Sequence, residues 1–399
     1  METVDLVVVG AGTLGGWGSV FAREDGVGRV VVLEAGLAGQ GASSRAAGIV
    51  RQQGGLPATV ALGRWSVAFY GSQAERYGTD SGFRESGYHL LAVTEAEAAE
   101  GRERVAMQRA AGLDVEWHDP GQVVARNPTI DPATIAGGSW CATDGYLDPP
   151  RNVRAYSLAM QRAGVDLRER TAVTAIHLDG RPDARRVVGV ETPAGPIATE
   201  HVLLTGGPTL RQVGELAGLR LPVGPVRHMV AVTEPSATVE TRALPMAYAV
   251  TAGVYWRPEE DGLLFGASKP DEEPGPALEI DLEYLAQMRA TLARHVPPTA
   301  GMGLRRTWAA TIEYSPDHLP IVSTALRPVG TTISGLTVAS ACGHGMMWGP
   351  AVARAAVDLA LRGGTDVADL TDLGLDRFDA SGRSRLAADR VSLPLPTTA

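Results

Sequence analysis

The side chains with the most evident chemistry fall in one short stretch, SACGHGMMWGP, at residues 340–350. Cys342 and His344 are two positions apart, and Met346 and Met347 follow directly. Sulfur ligands beside an imidazole are typical of copper sites, whereas a cysteine beside a histidine is typical of a nucleophile and its base. Three glycines in the stretch also fit a loop that lies flat against a ligand. The stretch alone leaves these three interpretations open.

A second group of residues has the types and spacing of a dinucleotide site. Gly10, Gly12 and Gly15 form the pattern G-x-G-x-x-G directly after the apolar run LVVV, and Glu34 ends the next apolar run, VVVL. The glycines permit a tight turn and a close approach of backbone to a pyrophosphate, and the following helix offers free N–H groups. The carboxylate accepts hydrogen bonds from ribose hydroxyls and disfavours the 2′-phosphate of NADP.

These residues require a buried parallel strand, a glycine turn, a helix and a second strand in that order. The N-terminal sequence DLVVVGAGTLGGWGSVFAREDGVGRVVVLEAG supplies this order. The pattern does not distinguish NAD from FAD. Residues 36–55, GLAGQGASSRAAGIVRQQGG, form a loop of small residues that would let backbone run along an extended ligand, which favours FAD.

Length, charge and cysteine count restrict the class of protein. The 399 residues are enough for two domains, and the net charge of −9 argues against nucleic acid or an anionic membrane surface as the main partner. Two cysteines make no disulfide framework, and we find no signal peptide and no run long enough to span a membrane. We therefore expect a cytoplasmic protein. The basic residues are arginines except for Lys269, which suggests a bacterial source.

Other segments have helix or strand patterns. DPPRNVRAYSLAMQRAG at 148–164 predicts an amphipathic helix that leads to one strand, VDLRERTAVTAI, at 165–176. PVRHMVAVTEP and VYWRPEEDGLLFGAS predict strands, the latter with a turn at PEEDG. GPAVARAAVDLALRGG at 349–364 predicts a helix that begins near Pro350 and ends near Gly363.

Seven blocks in collinear order now carry a family resemblance. They are the N-terminal glycine pattern, SSRAAGIVR (43–51), GYLDP (145–149), VLLTGGP (202–208), YWRPEEDGLLFG (255–266), WAATIEYSPDHLPIVS (308–323) and GLTVASACGHGMMWGPAVARAAVDLAL (335–361). Together they resemble the D-amino-acid oxidase superfamily of flavoproteins. Within it, the chain is most similar to the group of sarcosine oxidase, dimethylglycine dehydrogenase and the proline dehydrogenase β-subunit.

The resemblance implies an α/β plus α+β fold. Its FAD-binding domain is doubly wound and Rossmann-like, and its substrate domain is a discontinuous antiparallel sheet that covers one face of the flavin. The expected boundaries are 1–82, 144–220 and 328–380 for the FAD-binding domain, 83–143 and 221–327 for the substrate domain, and 381–399 for a loose C-terminal tail.

The resemblance also implies which residues contact FAD. The dinucleotide pattern would hold the ADP part, the segment near Gly48 would pass the ribityl chain and ring, and the loop at Gly343 would lie along the pyrimidine side. The expected contacts are Gly10, Gly12, Thr13, Leu14, Gly15, Glu34, Ala35, Ser43, Ser44, Arg45, Ala47, Gly48, Ile49, Val173, Gly206, Gly207, Gly343, His344, Gly345, Met346 and Met347. We therefore favour the glycine-loop interpretation of SACGHGMMWGP and predict no metal, because no other cluster of His, Cys or Met supplies ligands.

Departures from the family pattern carry information. Relatives that attach FAD covalently do so through a histidine where this chain has Arg45, or through a cysteine near Ala310, so we predict non-covalent FAD. Lysines that promote the reaction with oxygen correspond to Leu264 and Met347, while Lys269 lies a few residues from the first. This puts a fast oxidase reaction in doubt and favours another electron acceptor.

The reaction implied is oxidation of a C–N bond: a hydride leaves the carbon next to nitrogen for flavin N5, and the imine hydrolyses. Arg51 is the main candidate for a substrate carboxylate, since guanidinium binds carboxylate through two parallel hydrogen bonds. His344, Met347, Tyr255 and Arg257 are further candidates for contact with the reacting groups. We give less weight to His228, and to an apolar lid made with Trp256 and Trp308.

Four functions remain open. The first is an oxidoreductase for a secondary amine or amino acid that is sarcosine-, N-methyl- or proline-like, with oxygen as the acceptor. The second is a β-type subunit that passes electrons to a partner. The third is a biosynthetic tailoring enzyme with a larger substrate, and the fourth is a flavin-binding assembly factor without turnover. The partners expected are therefore a small amine and either O₂ or an electron-accepting protein.

Overall fold

The computed structural model describes residues 2–386 except 183, 237–239, 270–271, 274 and 327–331. Its described strands form three sheets of ten, eight and three strands. The strands of the first sheet are Glu2–Thr3, Leu6–Val9, Val30–Leu33, Asp166–Arg168, Ala175–Asp179, Arg185–Thr192, Gly195–Ala198, Val202–Leu204, Ile321–Leu326 and Thr332–Ser340.

The centre of the first sheet is parallel. Thr332–Ser340, Val202–Leu204, Leu6–Val9, Val30–Leu33 and Asp166–Arg168 lie side by side in this order, and each pairs with its neighbour in parallel. In the strand Leu6–Val9, apolar and polar residues do not alternate, because both faces of this sheet are covered. Leu6 and Val8 belong to one buried cluster, and Val7 and Val9 belong to another.

One face of the parallel sheet carries helices that pack against each other. Thr13–Glu24 contacts both Pro149–Ala163 and Gly349–Arg362. The buried faces of these helices include the close-packed rings of Trp17 and Phe21. The described α-helices are Thr13–Glu24, Ala42–Arg45, Pro57–Tyr77, Glu95–Ala110, Pro120–Arg126, Pro149–Ala163, Leu210–Glu215, Leu282–His295 and Gly349–Arg362; short 3₁₀ turns span Pro132–Thr134, Gly207–Thr209, Pro297–Gly301 and Leu375–Arg377.

The second sheet is antiparallel except for one parallel pair, Tyr88–Ala92 with Met246–Ala249. Its strands come from two separate parts of the chain: Tyr88–Ala92, Glu116–His118, Gly137–Cys141, Gly224–Thr233, Met246–Ala249, Val254–Glu259, Gly262–Ala267 and Leu304–Tyr314. The short third sheet joins Ile49–Val50, Gly145–Tyr146 and Arg84–Glu85. It lies where the chain passes between the two large sheets.

Three expectations differ from the structure. The single strand expected at 165–176 is two strands: Asp166–Arg168 pairs with Val30–Leu33, and Ala175–Asp179 pairs with Arg185–Thr192. Between them Arg170 has φ of 52°, which extended backbone cannot adopt. Ile321–Leu326 falls inside the range 221–327 expected for the substrate domain, but it pairs with Thr332–Ser340 in the first sheet.

The third difference concerns the C-terminal tail. Residues 387–399 of the expected loose tail lie outside the described residues. Residues 381–386 are attached, since Arg385 N donates to Arg377 O and Phe378 bridges to Ser384. Among the helices in the described ranges, none is long and apolar enough to cross a membrane.

Candidate active site

A cavity of ≈ 700 Å³ lies between the two large sheets. Its wall includes Val9, Leu33 and Thr205 from the carboxyl ends of three parallel strands, and Tyr255 and Ile312 from the antiparallel sheet. Ligands of open α/β sheets bind outside the carboxyl ends of the strands, so this is where such a fold would place a dinucleotide.

The glycine turn shapes one end of the cavity. Gly10 has φ of 100°, and a Cβ there would lie 2.9 Å from Thr205 O. A Cβ on Gly15 would lie 1.8 Å from Gly10 O, so only glycine lets the helix pack against the turn. Gly12 caps that helix without a side-chain hydrogen bond, and Thr13 N donates to Ser43 Oγ at 3.0 Å. The close backbone approach and the open helix N-terminus suit a pyrophosphate.

Glu34 stands beside this turn in a fixed orientation. Its Oε2 accepts a hydrogen bond from Ala11 N at 2.8 Å, and its Oε1 accepts one from Gly36 N at 2.7 Å. Each carboxylate oxygen keeps acceptor capacity for a ribose hydroxyl. Ala35 and Val173 line the cavity next to it, as the expected adenosine contacts require.

The small-residue segment forms the middle of the wall. Ser43, Arg45, Ala47, Gly48 and Ile49 all line the cavity. Gly48 has φ of 79°, and a Cβ there would lie 2.2 Å from Leu147 O. The backbone can therefore pack against Leu147 at this point of the cavity wall only because the residue is glycine.

The stretch SACGHGMMWGP closes the other side of the cavity. Gly343, with φ of 79°, His344, Gly345, Met346 and Met347 line it directly before the helix Gly349–Arg362. His344 Nδ1 lies 2.8 Å from Cys342 O and donates to it. Burial lowers the pKa of His344 to about 3, with a further contribution from the Arg51 cation, so the ring is neutral at pH 7.

Two observations bear on the nucleophile and metal interpretations of this stretch. Burial raises the pKa of the Cys342 thiol to about 11, so a thiolate nucleophile is disfavoured. Within the described ranges, no group of three or more His, Cys, Asp or Glu side chains is placed to hold a metal ion. The loop interpretation agrees with the backbone conformation, since Gly343 and Cys342 both have positive φ.

Arg51 reaches the cavity from a buried strand end. The residue is 3% exposed, and its Nη1 donates to Gln53 O at 2.9 Å. The buried Asp144 carboxylate holds the segment by accepting hydrogen bonds from Gln52 N at 2.7 Å and Gln53 Nε2 at 2.9 Å. Burial raises the pKa of Asp144 to about 6, while these donors oppose the increase.

A hydrogen-bonded pair faces the cavity from the antiparallel sheet. His228 Nε2 lies 2.7 Å from the Tyr255 hydroxyl, and His228 Nδ1 lies 2.8 Å from Ser268 Oγ. Burial lowers the pKa of His228 to about 4 and raises that of Tyr255 well above its usual range, so both groups are neutral at pH 7. Tyr88 and Tyr248 complete an aromatic wall around the pair.

Comparison with known proteins decides the family. A family model described as FAD dependent oxidoreductase matches residues 5–359. The chain belongs to this family. The resemblance, the fold class and FAD as the cofactor are thereby confirmed.

Relatives of this FAD-dependent oxidoreductase are distant. The chain is 26% identical over 395 residues to 4-methylaminobutanoate oxidase (formaldehyde-forming) of Paenarthrobacter nicotinovorans, covering 96% of this chain and 46% of that protein. It is 27% identical over 346 residues to mitochondrial dimethylglycine dehydrogenase of Rattus norvegicus, covering 80% and 39%. The chain thus spans less than half the length of these curated relatives.

Solved structures share the fold over nearly their whole length. L-proline dehydrogenase from P. horikoshii has a TM-score of 0.83 at 24% identity, over 92% of this chain and 95% of that one. Glycine oxidase from Geobacillus kaustophilus has a TM-score of 0.79 at 25% identity, over 94% and 99%. The chain therefore shares its fold with these two solved structures.

The structure corrects several expected contacts in this FAD-dependent oxidoreductase. Arg257 does not line the cavity: it donates to Ala47 O at 2.7 Å and pairs with Glu259 at 2.6 Å, so it supports the small-residue segment from behind. Trp256 is packed in the core against His295, and so it forms no lid.

Two expected FAD contacts also lie outside the cavity wall. Gly15 acts through helix packing, and the Ser44 N–H donates to Gly39 O. Trp308 holds the small-residue segment of the wall, since its Nε1 donates a hydrogen bond to Arg45 O at 2.8 Å. The remaining expected FAD contacts that we named line the cavity, together with Arg51, Tyr255, His344 and Met347.

Sequence reasoning gave too little weight to His228 and missed Asp144 and Glu313. His228 becomes significant only once the pairing of Gly224–Thr233 with Gly262–Ala267 brings it beside Ser268 and Tyr255. Asp144 directly precedes GYLDP, one of the seven blocks that carry the family resemblance. This position next to the block was a signal that the sequence offered. Glu313 stands inside WAATIEYSPDHLPIVS, where nothing in the pattern marks it.

Proposed function

We propose that this chain oxidises the C–N bond of a secondary amine that carries a carboxylate, such as a sarcosine-, N-methyl- or proline-like amino acid. The observation that carries the proposal is the shared cavity: the expected FAD contacts other than Gly15 and Ser44, Arg51 and the His228–Tyr255 pair all line one space. Similar proteins are named for 4-methylaminobutanoate, dimethylglycine and proline, which are amines with a carboxylate.

Arg51 would fix the substrate. A guanidinium that is 3% exposed offers charge-assisted hydrogen bonds in a site with little water, where they are stronger than at the surface. Holding the carboxylate at one end determines where the amine and its neighbouring carbon lie.

The rest of the wall would keep the amine reactive. Its nitrogen must lose a proton before the neighbouring carbon can give up a hydride, and a cation such as Arg51 disfavours an ammonium close by. His228, Tyr255 and His344 are all neutral at pH 7, so none of them adds an anion that would stabilise the ammonium. Bound FAD supplies the electron acceptor, and water then hydrolyses the imine product.

Met347 favours an acceptor other than oxygen. It lines the cavity where the resemblance places a lysine of oxidases, Leu264 is buried away from the wall, and Lys269 pairs with Asp281 at 3.1 Å. We therefore also propose that electrons pass to a partner protein. If purified chain forms hydrogen peroxide at the rate at which substrate is consumed, this second proposal is wrong.

FAD in this chain is proposed to be non-covalent, because Arg45 and Ala310 occupy the wall where other chains attach it. Acid or heat should release all flavin from the protein. A cytoplasmic, bacterial protein is also proposed, with support from two free buried cysteines.

The experiment that tests the function is an anaerobic half-reaction. Holoprotein is mixed with sarcosine, proline, N-methyl amino acids and larger amines, and the flavin absorbance is followed. We expect bleaching by a secondary amino acid. A flavin that dithionite reduces and no amine of the panel reduces would contradict the proposal and favour an assembly role.

A further inference from the structure

Glu313 is a buried carboxyl group on the cavity wall that amine oxidation does not use. It lies near the end of strand Leu304–Tyr314 and is 7% exposed. Its Oε1 accepts a hydrogen bond from Ser340 Oγ at 3.1 Å, and Ser340 Oγ accepts one from Cys342 N at 3.1 Å. Ser340 Oγ also lies 3.4 Å from Cys342 Sγ, a contact in which either atom can donate. When Ser340 donates to Oε1, a proton on the carboxyl group belongs on Oε2.

Oε2 faces the part of the cavity where FAD is expected. A Cβ built on Gly207 would lie 3.8 Å from it, and Gly207 lines the cavity beside Gly206 and Thr205. This edge holds the carboxyl end of strand Val202–Leu204, across from the glycine turn. An acidic side chain is unexpected here, because FAD carries two negative charges on its pyrophosphate.

The surroundings favour the neutral form of this carboxyl group. Within the described ranges, no arginine, lysine or histidine forms an ion pair with Glu313. An ionised carboxylate buried without a cation is costly, so the group retains its proton instead. Burial accordingly raises the pKa of Glu313 to about 7.

The neighbouring groups do not titrate in its place. Tyr314 on the same strand has a pKa raised by burial, and Cys342 has one raised to about 11, so both are neutral near pH 7. Pro225, opposite Glu313 on the paired strand, carries no charge. Arg377, which acts on Cys342 from the far side, is held by Asp317 at 2.7 Å.

Two histidines lie on the other side of Tyr314. The His318 ring centre is 5.2 Å from that of Tyr314, and the His344 ring centre is 6.3 Å from it. His344 is neutral because burial lowers its pKa to about 3. His318 is therefore the group to control for in any experiment that varies pH.

We propose that Glu313 binds FAD as a neutral carboxylic acid, with the Oε2 proton donated to an oxygen atom of FAD. Ionised, the same side chain would repel the pyrophosphate and lose its donor. FAD binding is then coupled to retention of one proton, and FAD affinity falls as pH rises above neutrality. The inference rests on FAD binding alone, so it stands or fails separately from the amine substrate.

The test is FAD affinity against pH, measured on full-length holoprotein by the fluorescence of FAD released on dilution between pH 6 and pH 8.5. For the unmodified protein we expect Kd to rise with pH, approaching about tenfold per pH unit once the free protein is ionised. Glu313→Gln, a neutral donor of the same shape, should bind FAD at all these pH values with a nearly flat Kd. His318→Gln should keep the dependence of the unmodified protein.

Two results would overturn the proposal: a flat Kd in the unmodified protein, or the same pH dependence in Glu313→Gln. If the variant fails to fold, calorimetry on the unmodified chain answers the question. FAD is added to apoprotein at pH 8 in buffers that differ in ionisation enthalpy, and the proposal requires proton uptake on binding. Uptake of no protons would refute it, since neither the pyrophosphate nor the adenine of FAD titrates near pH 8.

Discussion

Replacing Arg51 with glutamine separates recognition of the substrate carboxylate from every other function of the cavity. Arg51 is 3% exposed, so a carboxylate bound to it would lie out of water. Charge-assisted hydrogen bonds are worth roughly 1.5–3 kcal/mol each, and glutamine would retain about one neutral hydrogen bond. The net loss is about 3 kcal/mol, or roughly 10²-fold in kcat/KM.

The assay compares proline with pyrrolidine, which is the same ring amine without the carboxylate. Anaerobic flavin reduction is followed for both compounds with the unmodified protein and with Arg51→Gln. We expect the variant to lose roughly 10²-fold in kcat/KM on proline and less than about threefold on pyrrolidine. FAD content and Tm are measured on the same samples, so that loss of fold is recognised.

A matched control is available in Arg257, which is also 3% exposed but lies outside the cavity. Arg257→Gln removes the hydrogen bond to Ala47 O and the ion pair with Glu259. It should lower stability and FAD retention while affecting both amines by the same factor. Equal losses on proline and pyrrolidine in Arg51→Gln would refute the placement of the carboxylate at Arg51.

Three further predictions concern the same cavity. Tyr255→Phe leaves His228 Nε2 without its partner at 2.7 Å and should cost about 1–2 kcal/mol in the free energy of unfolding, measured with urea. The pKa of His228 is lowered from 6.5 to about 4, so its neutral form contributes stability above pH 6.5 that is lost as pH falls towards 4. Unfolding at pH 7 and pH 4.5 should therefore show a smaller loss for His228→Gln than for the unmodified protein, and equal losses would contradict this. Gly48→Ala, whose Cβ would lie 2.2 Å from Leu147 O, should abolish FAD retention, whereas Gly71→Ala, in open space on a helix, should leave flavin absorbance unchanged.

The parts of the fold that sequence reasoning predicted are those specified by local pattern. Leu6–Val9, the glycine turn and Glu34 follow one another within a single βαβ unit, so their contacts are fixed by short-range geometry. The helix Gly349–Arg362 was likewise marked by Pro350 and Gly363 at its two ends. Such signals need no knowledge of the remaining chain.

The wrong expectations concern features that depend on contacts between segments far apart in the sequence. Residues 165–176 have the apolar content of one strand, but Asp166–Arg168 pairs with Val30–Leu33, and Ala175–Asp179 pairs with Arg185–Thr192. Arg257 has the residue type of a carboxylate ligand and shares a strand face with Tyr255, yet its guanidinium is held by Ala47 O and lies over the Tyr146 ring. Tyr255, two residues earlier, faces the cavity.

Buried polar partners were the least accessible to sequence reasoning. Asp144 and Gln53 are 91 positions apart, and their 2.9 Å contact appears only when the third sheet forms. Glu313 and Ser340 approach to 3.1 Å across 27 positions because the ends of strands from the two large sheets meet there. A carboxyl group reveals such a role through burial and the absence of a cation, neither of which is visible in composition or spacing.

The measurement that tests the central claim most directly is stopped-flow absorbance of the holoprotein mixed anaerobically with secondary amino acids. The claim is that Arg51, the neutral His228–Tyr255 pair and FAD act on one substrate in one cavity. The prediction is complete loss of the oxidised flavin band with at least one such amino acid, and a rate that saturates with its concentration. A flavin that remains oxidised with every amine tested, while dithionite still reduces it, would contradict the claim.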